Sequence, residues 1–486
     1  MPAFLPSDTR ATLGQNAEKC TSRSLLLDRM VDPTAEKAAR RNIFETALKK
    51  PPNNHKAKSV ALLIGQNTFD AVVYAQLQSR LMVNMAGGVM ENAGLCLDRF
   101  GMPYIPGSAV KGCARRAAIN ELQQTQSLEE KTDLLFKICL VFGWTETDWK
   151  PGRKTERKAG KVVKTEPNSD FWWAMAENTG ETLQDTEKND EIRNKIWNQV
   201  AREVAIRILN FLQVSKIDDP VAPWRDLPNF SGLVSFWPAY PIDLGTIGKV
   251  EGLPLEVPKL GELELDVVTC HHFYYYRRNL QIATDTEEPI PVVFPAVAAG
   301  HVFAFPLALL RKTHYPVIDW AQTWLKTGLS KFGIGAKTSA GYGWFDWSET
   351  IQTIAKNHVN ATINKYLSEL QQKKEEERRK IEEAERIRRK QEEEAALAGL
   401  SEDERADKII ARLNDQQFDS KVRAFCKDPK KGGPTEAEKR AIVRALRGPR
   451  LAYWQNFKNK ATKGELAKIA QAIRELCKKM NLGKMP

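Results

Sequence analysis

The sequence predicts an α+β body with helical insertions over residues 1–350, then a charged helical spacer over 351–400 and a small basic helical domain over 401–486. Three observations predict this. Strand-like and helix-like segments interleave throughout the first part, the pattern of an α+β domain. Between 371 and 380 no residue is apolar, and Glu alternates with Lys and Arg. Finally, the net charge of +12 is concentrated at one end: residues 1–350 hold 41 basic and 40 acidic side chains, whereas 421–486 hold 18 and 5.

Along the chain, helical spacing covers Ala35–Lys49 and ends in the Pro/Asn-rich loop Pro51–Asn54. Short apolar runs in Leu81–Asp98, broken by Gly87, Gly88 and Gly94, read as strands around a glycine turn. A helix is expected from Ser108, and a second from Leu128 to Val141, stopped by Gly143. Residues 147–168 carry seven Lys/Arg and read as an exposed, mobile loop. Helical spacing returns over Ile192–Leu212 and Trp320–Leu329. Strands are expected at Gly232–Ala239, Leu263–Thr269, Ile290–Val297, His301–Leu307 and Tyr342–Trp347.

In the spacer, Glu375–Arg379, Glu376–Lys380, Glu382–Arg386 and Glu385–Arg389 place Glu four residues before a cation, the order the helix dipole favours. With no continuous heptad seam, residues 356–399 read as a solvated single helix rather than a coiled coil. Three capping-box patterns, Ser401/Glu404, Thr435/Glu438 and Thr462/Glu465, divide the last part into helices.

Composition excludes several classes. At 42% hydrophobic and 28% charged residues, the chain is neither a disordered polymer nor a membrane protein. No apolar run approaches the ~18 residues of a membrane span, and MPAFLPSDTR has no secretion-signal pattern. Seven scattered cysteines, never spaced CxxC, exclude a disulfide framework and zinc ribbons, and fit a reducing cytoplasm.

Three segments have chemistry in them. In Pro103–Arg116, two prolines and Gly107 stiffen the approach to a helix that Ser108 can cap. Lys111 and Arg115 share a face there, which makes either a phosphate-binding helix start or an ordinary capped helix with solvated charges. In Gly333–Phe345, the glycines 333, 335, 341 and 343 surround Lys337, Thr338 and Ser339. The spacing matches neither GxxxxGK[ST] nor GxGxxG, so the loop is either a polyanion cradle or a tight structural turn. In His271–Arg278, aromatic rings beside guanidinium groups suit unpaired bases and phosphates, although some rings must fill the core. Adjacent histidines without further ligands make zinc a weak reading there. For catalysis the sequence offers Asp98 without an identifiable partner, and Asp285, Glu287 and Glu288 in a solvated turn.

In this order, PYIPGSAVKGCAR (103–115), GLVSFWPAYP (232–241), DVVTCHHFYYY with EEPIPVVFPAVAAGHVFAFPL (266–307) and FGIGAKTSAGYGWF (332–345) resemble the RAMP superfamily of CRISPR-associated proteins. Within it they are similar to the sixth-subunit group of Cmr (type III-B) effectors, with KTxxGYG as the discriminating core. The resemblance implies an RRM-like (ferredoxin-like) core that binds crRNA near its 3′ end and helps to position target RNA, without catalysis or cofactor. Its implied neighbours are fourth-subunit backbone copies, the first subunit and the small subunit. By motif position, Ser108, Lys111 and Arg115 would hold guide phosphates. Gly333, Gly335, Lys337, Thr338, Gly341 and Gly343 would form a backbone cradle, with His271 and Tyr275 nearby. The segments around 108 and 337 are therefore expected to converge on one groove. Rival expectations are a ribonuclease acting through Asp98 or His271, and a scaffold dimerising through 356–399. The insert at 147–168 and the extension at 351–486 have no counterpart in the resemblance; the extension is expected to grip nucleic acid or an acidic partner.

Overall fold

The computed structural model describes the whole chain except residues 1–4, 15–18, 31, 33, 35–36, 86–94, 151–154, 159–160, 166–168, 176–185, 215–218, 278–280, 286–287 and 289. The glycine turn expected within 81–98 and part of the Asp285–Glu288 cluster lie outside the described residues. The chain divides into two units, Met1–Leu367 and Ser368–Pro486.

The first unit begins with helices α1 (Ser7–Leu13), α2 (Arg23–Asp28), α3 (Lys37–Leu48) and α4 (His55–Gly65). Strand β1 (Ala71–Leu77) follows; its residues AVVYAQL are buried on both faces, so it lacks the alternation by which a half-exposed strand is recognised. Next come α5 (Gly107–Gln124) and α6 (Leu128–Phe142). Ser127 caps α6 by accepting from the Glu130 N–H, and Gly143 ends it at φ 76°. The basic insert holds a hairpin, β2 (Thr155–Lys158) with β3 (Lys161–Thr165), where a loop was expected. The strand pairing satisfies main-chain groups that a loop leaves to water. Helices α7 (Asp170–Trp173) and α8 (Thr186–Phe211) precede the short strands β4 (Val234–Phe236) and β5 (Tyr240–Pro241). Strand β6 (Leu263–Cys270), helix α9 (Phe273–Tyr276) and strand β7 (Ile290–Val297) form an arm. Strand β8 (Val302–Leu309), helix α10 (Val317–Lys331), strand β9 (Phe345–Asp346) and helix α11 (Glu349–Ala398) complete the series.

The main sheet runs β4-β8-β1-β9, with every pair antiparallel and β5 also pairing with β8. Its two faces are covered by different helices. Val73, Ala75, Leu77, Phe303, Phe305 and Leu307 point into a core shared with α5, α6 and α10. The alternate residues Tyr74, Val302 and Ala304 meet Ile351, Ala355, Val359 and Ile363 of α11. Helix α4 lies against the same turns, where a Cβ on Gly65 would stand 2.2 Å from Ile363 Cδ1. The body therefore extends to Leu367, beyond the boundary expected at 350. The physical reason is the apolar stripe at 351, 355, 359 and 363, which buries one face of the helix before its charged stretch begins.

In the second unit, the described side chains of the rest of α11 are exposed except for half-buried Leu370. Of the four expected pairs, Glu376–Lys380 (2.6 Å) and Glu375–Arg379 (3.5 Å) form, whereas Arg386 bonds Glu383 instead. Helices α12 (Glu402–Arg412), α13 (Asp415–Arg423), α14 (Glu436–Arg447), α15 (Leu451–Lys460) and α16 (Glu465–Lys479) enclose a core that includes Ile410, Phe418, Val422, Ile442, Leu446, Trp454 and Ile473. Capping boxes form at Ser401/Glu404 and Thr435/Glu438 as expected, and also at Asn414/Gln417. The box expected at Thr462 does not form; Gly464 at φ 75° takes the N-cap, which moves Thr462 outside the helix.

Candidate nucleic-acid interface

The glycine loop leaves α10 and returns as β9 against the end of β1. Three main-chain bonds seat it: Ile334 N–H to Gly343 O (2.9 Å), Ala336 N–H to Met82 O (2.7 Å) and Gly343 N–H to Arg80 O (2.9 Å). Gly335 at φ 98° and Gly343 at φ 69° allow this approach, since a Cβ at either would meet a carbonyl oxygen at 2.2 or 2.0 Å. Lys337 takes the left-handed conformation (φ 57°, ψ 29°), which costs a non-glycine residue roughly 1–2 kcal/mol. Thr338–Ala340 then form a right-handed 3-10 turn closed by Gly341 at φ 92°. A left-handed residue followed by a right-handed one turns successive N–H groups toward one concave side, an anion-binding nest. Among the described residues, the N–H groups of Lys337, Thr338 and Ser339 donate to no protein acceptor. Gly333 is buried beneath the loop, whereas Gly335, Ser339 and Gly341 are exposed.

Beside the loop stands the β6–β7 arm, rooted by the bridge between Leu81 and Val297. Lys337 Nζ lies 5.7 Å from the Phe294 ring centre, and Tyr342 OH donates to Asp266 at 2.6 Å. Arg80 adds ion pairs to Glu264 (2.7 Å) and Asp266 (3.2 Å). Burial works against the Asp266 charge, yet the hydrogen bonds from Tyr342 and Val267 and the Arg80 cation hold its carboxyl below the usual range. Burial and the same bond to Asp266 push the Tyr342 phenol up to about 12. This network locks the loop to the arm. Its members were missed in the sequence because Asp266 and Tyr342 are 76 residues apart, although the KTSAGYG motif contained Tyr342.

His271 and Tyr275 sit at the far end of the arm. Asp266 pairs with Phe294 and Cys270 with Ile290, so four residues at ~3.4 Å each put the tip about 14 Å from the Lys337 contact. There Tyr274, Tyr275 and Tyr276 are 53%, 40% and 72% exposed, and Arg277 stacks on Phe273 (4.4 Å). These rings are exposed, on the same arm as the loop contact.

Helix α5 meets the loop with a side the sequence reading did not choose. Cys113 Sγ contacts Gly333 O at 3.6 Å, and the Arg116 guanidinium lies 4.9 Å from the Phe332 ring centre. At 100° per residue, Lys111 and Arg115 fall on the opposite side of the helix from Cys113. Lys111 donates to Ser231 O (3.1 Å), and burial, then the neighbouring Arg115, lowers its pKa. Arg115 pairs with Asp148 (2.9 Å) and Asp170 (3.5 Å) over the Phe171 ring. The middle of α5 therefore meets the base of the loop at Phe332 and Gly333, with Arg116 as the cation on that side, whereas the first turn at Gly107 meets Phe236 and Trp237 of the β4 end. Ser108 is exposed in the first turn and caps nothing, because the helix begins one residue earlier behind Pro106.

Asp98 has a structural setting: its Oδ1 accepts from Phe100 N–H (2.8 Å) and Met102 N–H (2.9 Å), which shapes the turn before α5. Among the described residues no three His, Cys, Asp or Glu side chains gather as a metal site, and no helix is long and apolar enough to cross a membrane.

The site is thus a main-chain nest on an antiparallel sheet of an α+β protein, flanked by a cation and by an arm tipped with exposed rings. The RAMP superfamily model matches residues 62–346, from α4 through β9, and the chain belongs to that superfamily. It is 26% identical over 270 residues to the CRISPR system Cmr subunit Cmr6 of Pyrococcus furiosus. The matched stretch is 55% of this chain and spans 64% of that relative's length. Among solved structures, the crystal structure of Cmr6 from Pyrococcus furiosus is 20% identical, covering 57% of this chain and 97% of that one at a TM-score of 0.24. A chain of the type III-B Cmr-beta complex bound to cognate target RNA is 14% identical, covering 70% of this chain and 86% of that one at a TM-score of 0.34.

Proposed function

We propose that this chain is a non-catalytic RNA-binding subunit of a type III-B CRISPR effector. It holds the crRNA near its 3′ end, helps to position target RNA, and neighbours fourth-subunit backbone copies, the first subunit and the small subunit. The observation that carries the reading is the nest at Lys337–Ser339, whose N–H groups face no protein acceptor within a loop that matches the superfamily. Phosphate oxygens would accept from these amides while Lys337 and Arg116 supply charge, and the tyrosines at the arm tip would stack on unpaired bases. The order β1-α5-β4-β8-α10-β9, with the sheet order β9-β1-β8-β4, supports an RRM-like (ferredoxin-like) core. RNA on such a core would run along the loop and the arm, because α11 and α4 cover the sheet face.

The test is whether purified protein, or its complex, carries a discrete repeat-plus-spacer RNA, and whether Lys337→Glu lowers its affinity for that RNA at least tenfold. Unchanged affinity in a folded variant would refute the assignment of the loop. Cleavage of matched target RNA by the purified chain, with or without Mg²⁺, would refute the non-catalytic reading.

A further inference from the structure

The superfamily match ends at residue 346, and the basic five-helix module lies beyond it, apart from the residues on which the function proposed above rests. Its acidic side chains are mostly engaged within the module. Asp403 holds Arg440 (2.7 Å), Asp407 holds Arg444 (2.8 Å), Asp419 holds Arg423 (2.6 Å), Asp415 pairs with Arg450, and Glu438 holds Lys421 (2.7 Å). These pairs tie α12 to α14 and α13 to α14 and α15. They leave a surplus of exposed cations without ion pairs among the described residues. Lys427, Lys430 and Lys431 lie on the α13–α14 loop, and Lys463 and Lys468 flank the start of α16.

The two segments belong to packed neighbours: helix α13, which leads into the lysine loop, packs against α16, and Phe418, Val422 and Phe425 share one core with Ile469 and Ile473. The lysine loop is also stiff. The Asp428 side chain accepts from Lys430 N–H (2.8 Å), and its carbonyl accepts from Lys431 N–H (2.8 Å) and Gly433 N–H (3.0 Å). The cations are therefore presented on a preformed turn.

The remaining surface narrows the partner. Phe418, Phe425, Trp454 and Phe457 are buried, and Tyr453 OH is bound to Asp419 (2.6 Å), so the module offers no open ring for stacking on unpaired bases. Its one exposed large apolar side chain among the described residues is Ile409, at 39%, too little for a hydrophobic docking patch. Cations without rings or apolar patch suit a regular array of phosphates.

We propose that the lysines of the 427–431 turn and the start of α16 bind the phosphate backbone of double-helical nucleic acid without reading bases. This goes beyond the guide-binding function and does not depend on it. The experiment uses the RNA-free full chain, in wild-type and Lys337→Glu backgrounds. Its probes are a labelled 24-base-pair DNA duplex, the same duplex in RNA, and a 24-nucleotide single strand, each titrated across salt. Duplex binding is expected in both backgrounds. Five phosphate contacts at about 0.9 ions each give a log–log salt slope of about −4 to −5. Lys427→Glu/Lys431→Glu and Lys463→Glu/Lys468→Glu should each flatten that slope by about 2, without moving the melting temperature. Binding of DNA and RNA duplexes alike, or of one alone, supports the proposal and identifies the source of the phosphates. No duplex binding, a single strand bound as tightly as duplex in the Lys337→Glu background, or slopes unaffected by the variants would overturn it. The first of these would leave an acidic protein as the partner to seek.

Discussion

Ending the chain at Ser348, before α11, is expected to unfold the body, whereas ending it at Leu367 is expected to leave it intact. Ile351, Val359 and Ile363 are 0%, 2% and 5% exposed against the sheet. Burying each contributes roughly 1.5–3 kcal/mol, so their loss removes about 5–9 kcal/mol. It also uncovers Tyr74, Ile242, Leu244, Val302 and Ala304, and deletes the bond from Gln352 Nε2 to Tyr74 O (2.8 Å). Since domains retain only about 5–15 kcal/mol of net stability, the loss is comparable to the whole. Urea titration followed by tryptophan fluorescence, with gel filtration of each chain, measures it. The 1–367 chain should unfold cooperatively from a monodisperse state, and the 1–348 chain should aggregate or show no transition. Ile351→Ala is the gentler form, with a cost of about 2–5 kcal/mol. If the two truncated chains shared a midpoint and slope, α11 would not be the second layer of the sheet. That result would reopen the sheet face as a route for RNA.

Other outcomes follow from the same geometry. Gly341→Ala, with nothing within 4 Å of the new Cβ, should cost only the roughly 1–2 kcal/mol of positive φ. Gly343→Ala also disrupts two main-chain bonds worth about 1 kcal/mol each, so equal shifts in thermal denaturation would contradict the loop packing. Arg115→Ala should lower stability by about 1.5–3 kcal/mol while leaving guide affinity nearly unchanged, because its partners are Asp148 and Asp170. Arg116→Ala should do the reverse in an RNA-binding assay. His301 is buried, accepts at Nε2 from Gly261 N–H (2.9 Å), and has its pKa lowered by burial, although the carbonyls of Ala298 and Lys259 favour its charge. A depressed pKa means that its contribution is intact above the unfolded value, about 6.5, and is lost progressively as pH falls below it. Wild-type stability measured by denaturant should therefore fall between pH 6.5 and 5 more steeply than that of His301→Asn; a parallel pair of curves would remove His301 from the account.

How much was readable in advance depended on whether the signal was local. The α6 helix was legible because Ser127, two glutamates and Gly143 bracket an apolar period. Strand β1 was not, because burial on both faces removes the alternation that marks a strand. Lys111 and Arg115 share a face, as their spacing predicts, but which neighbour that face meets is a long-range fact. Arg116, one residue on, is turned 100° further round the helix and reaches Phe332.

Sequence alone determined the local devices: glycines where positive φ is needed, the capping boxes of α12 and α14, the charged stretch of α11, and a basic end region. Each depends on interactions within a few residues, which spacing and side-chain type express directly. Tertiary structure alone decided that α11 closes the sheet, that Asp266 and Arg80 lock the loop to the arm, and which cations remain unpaired. Those outcomes join positions tens to hundreds of residues apart, and the chain must pack before any of these groups has a partner.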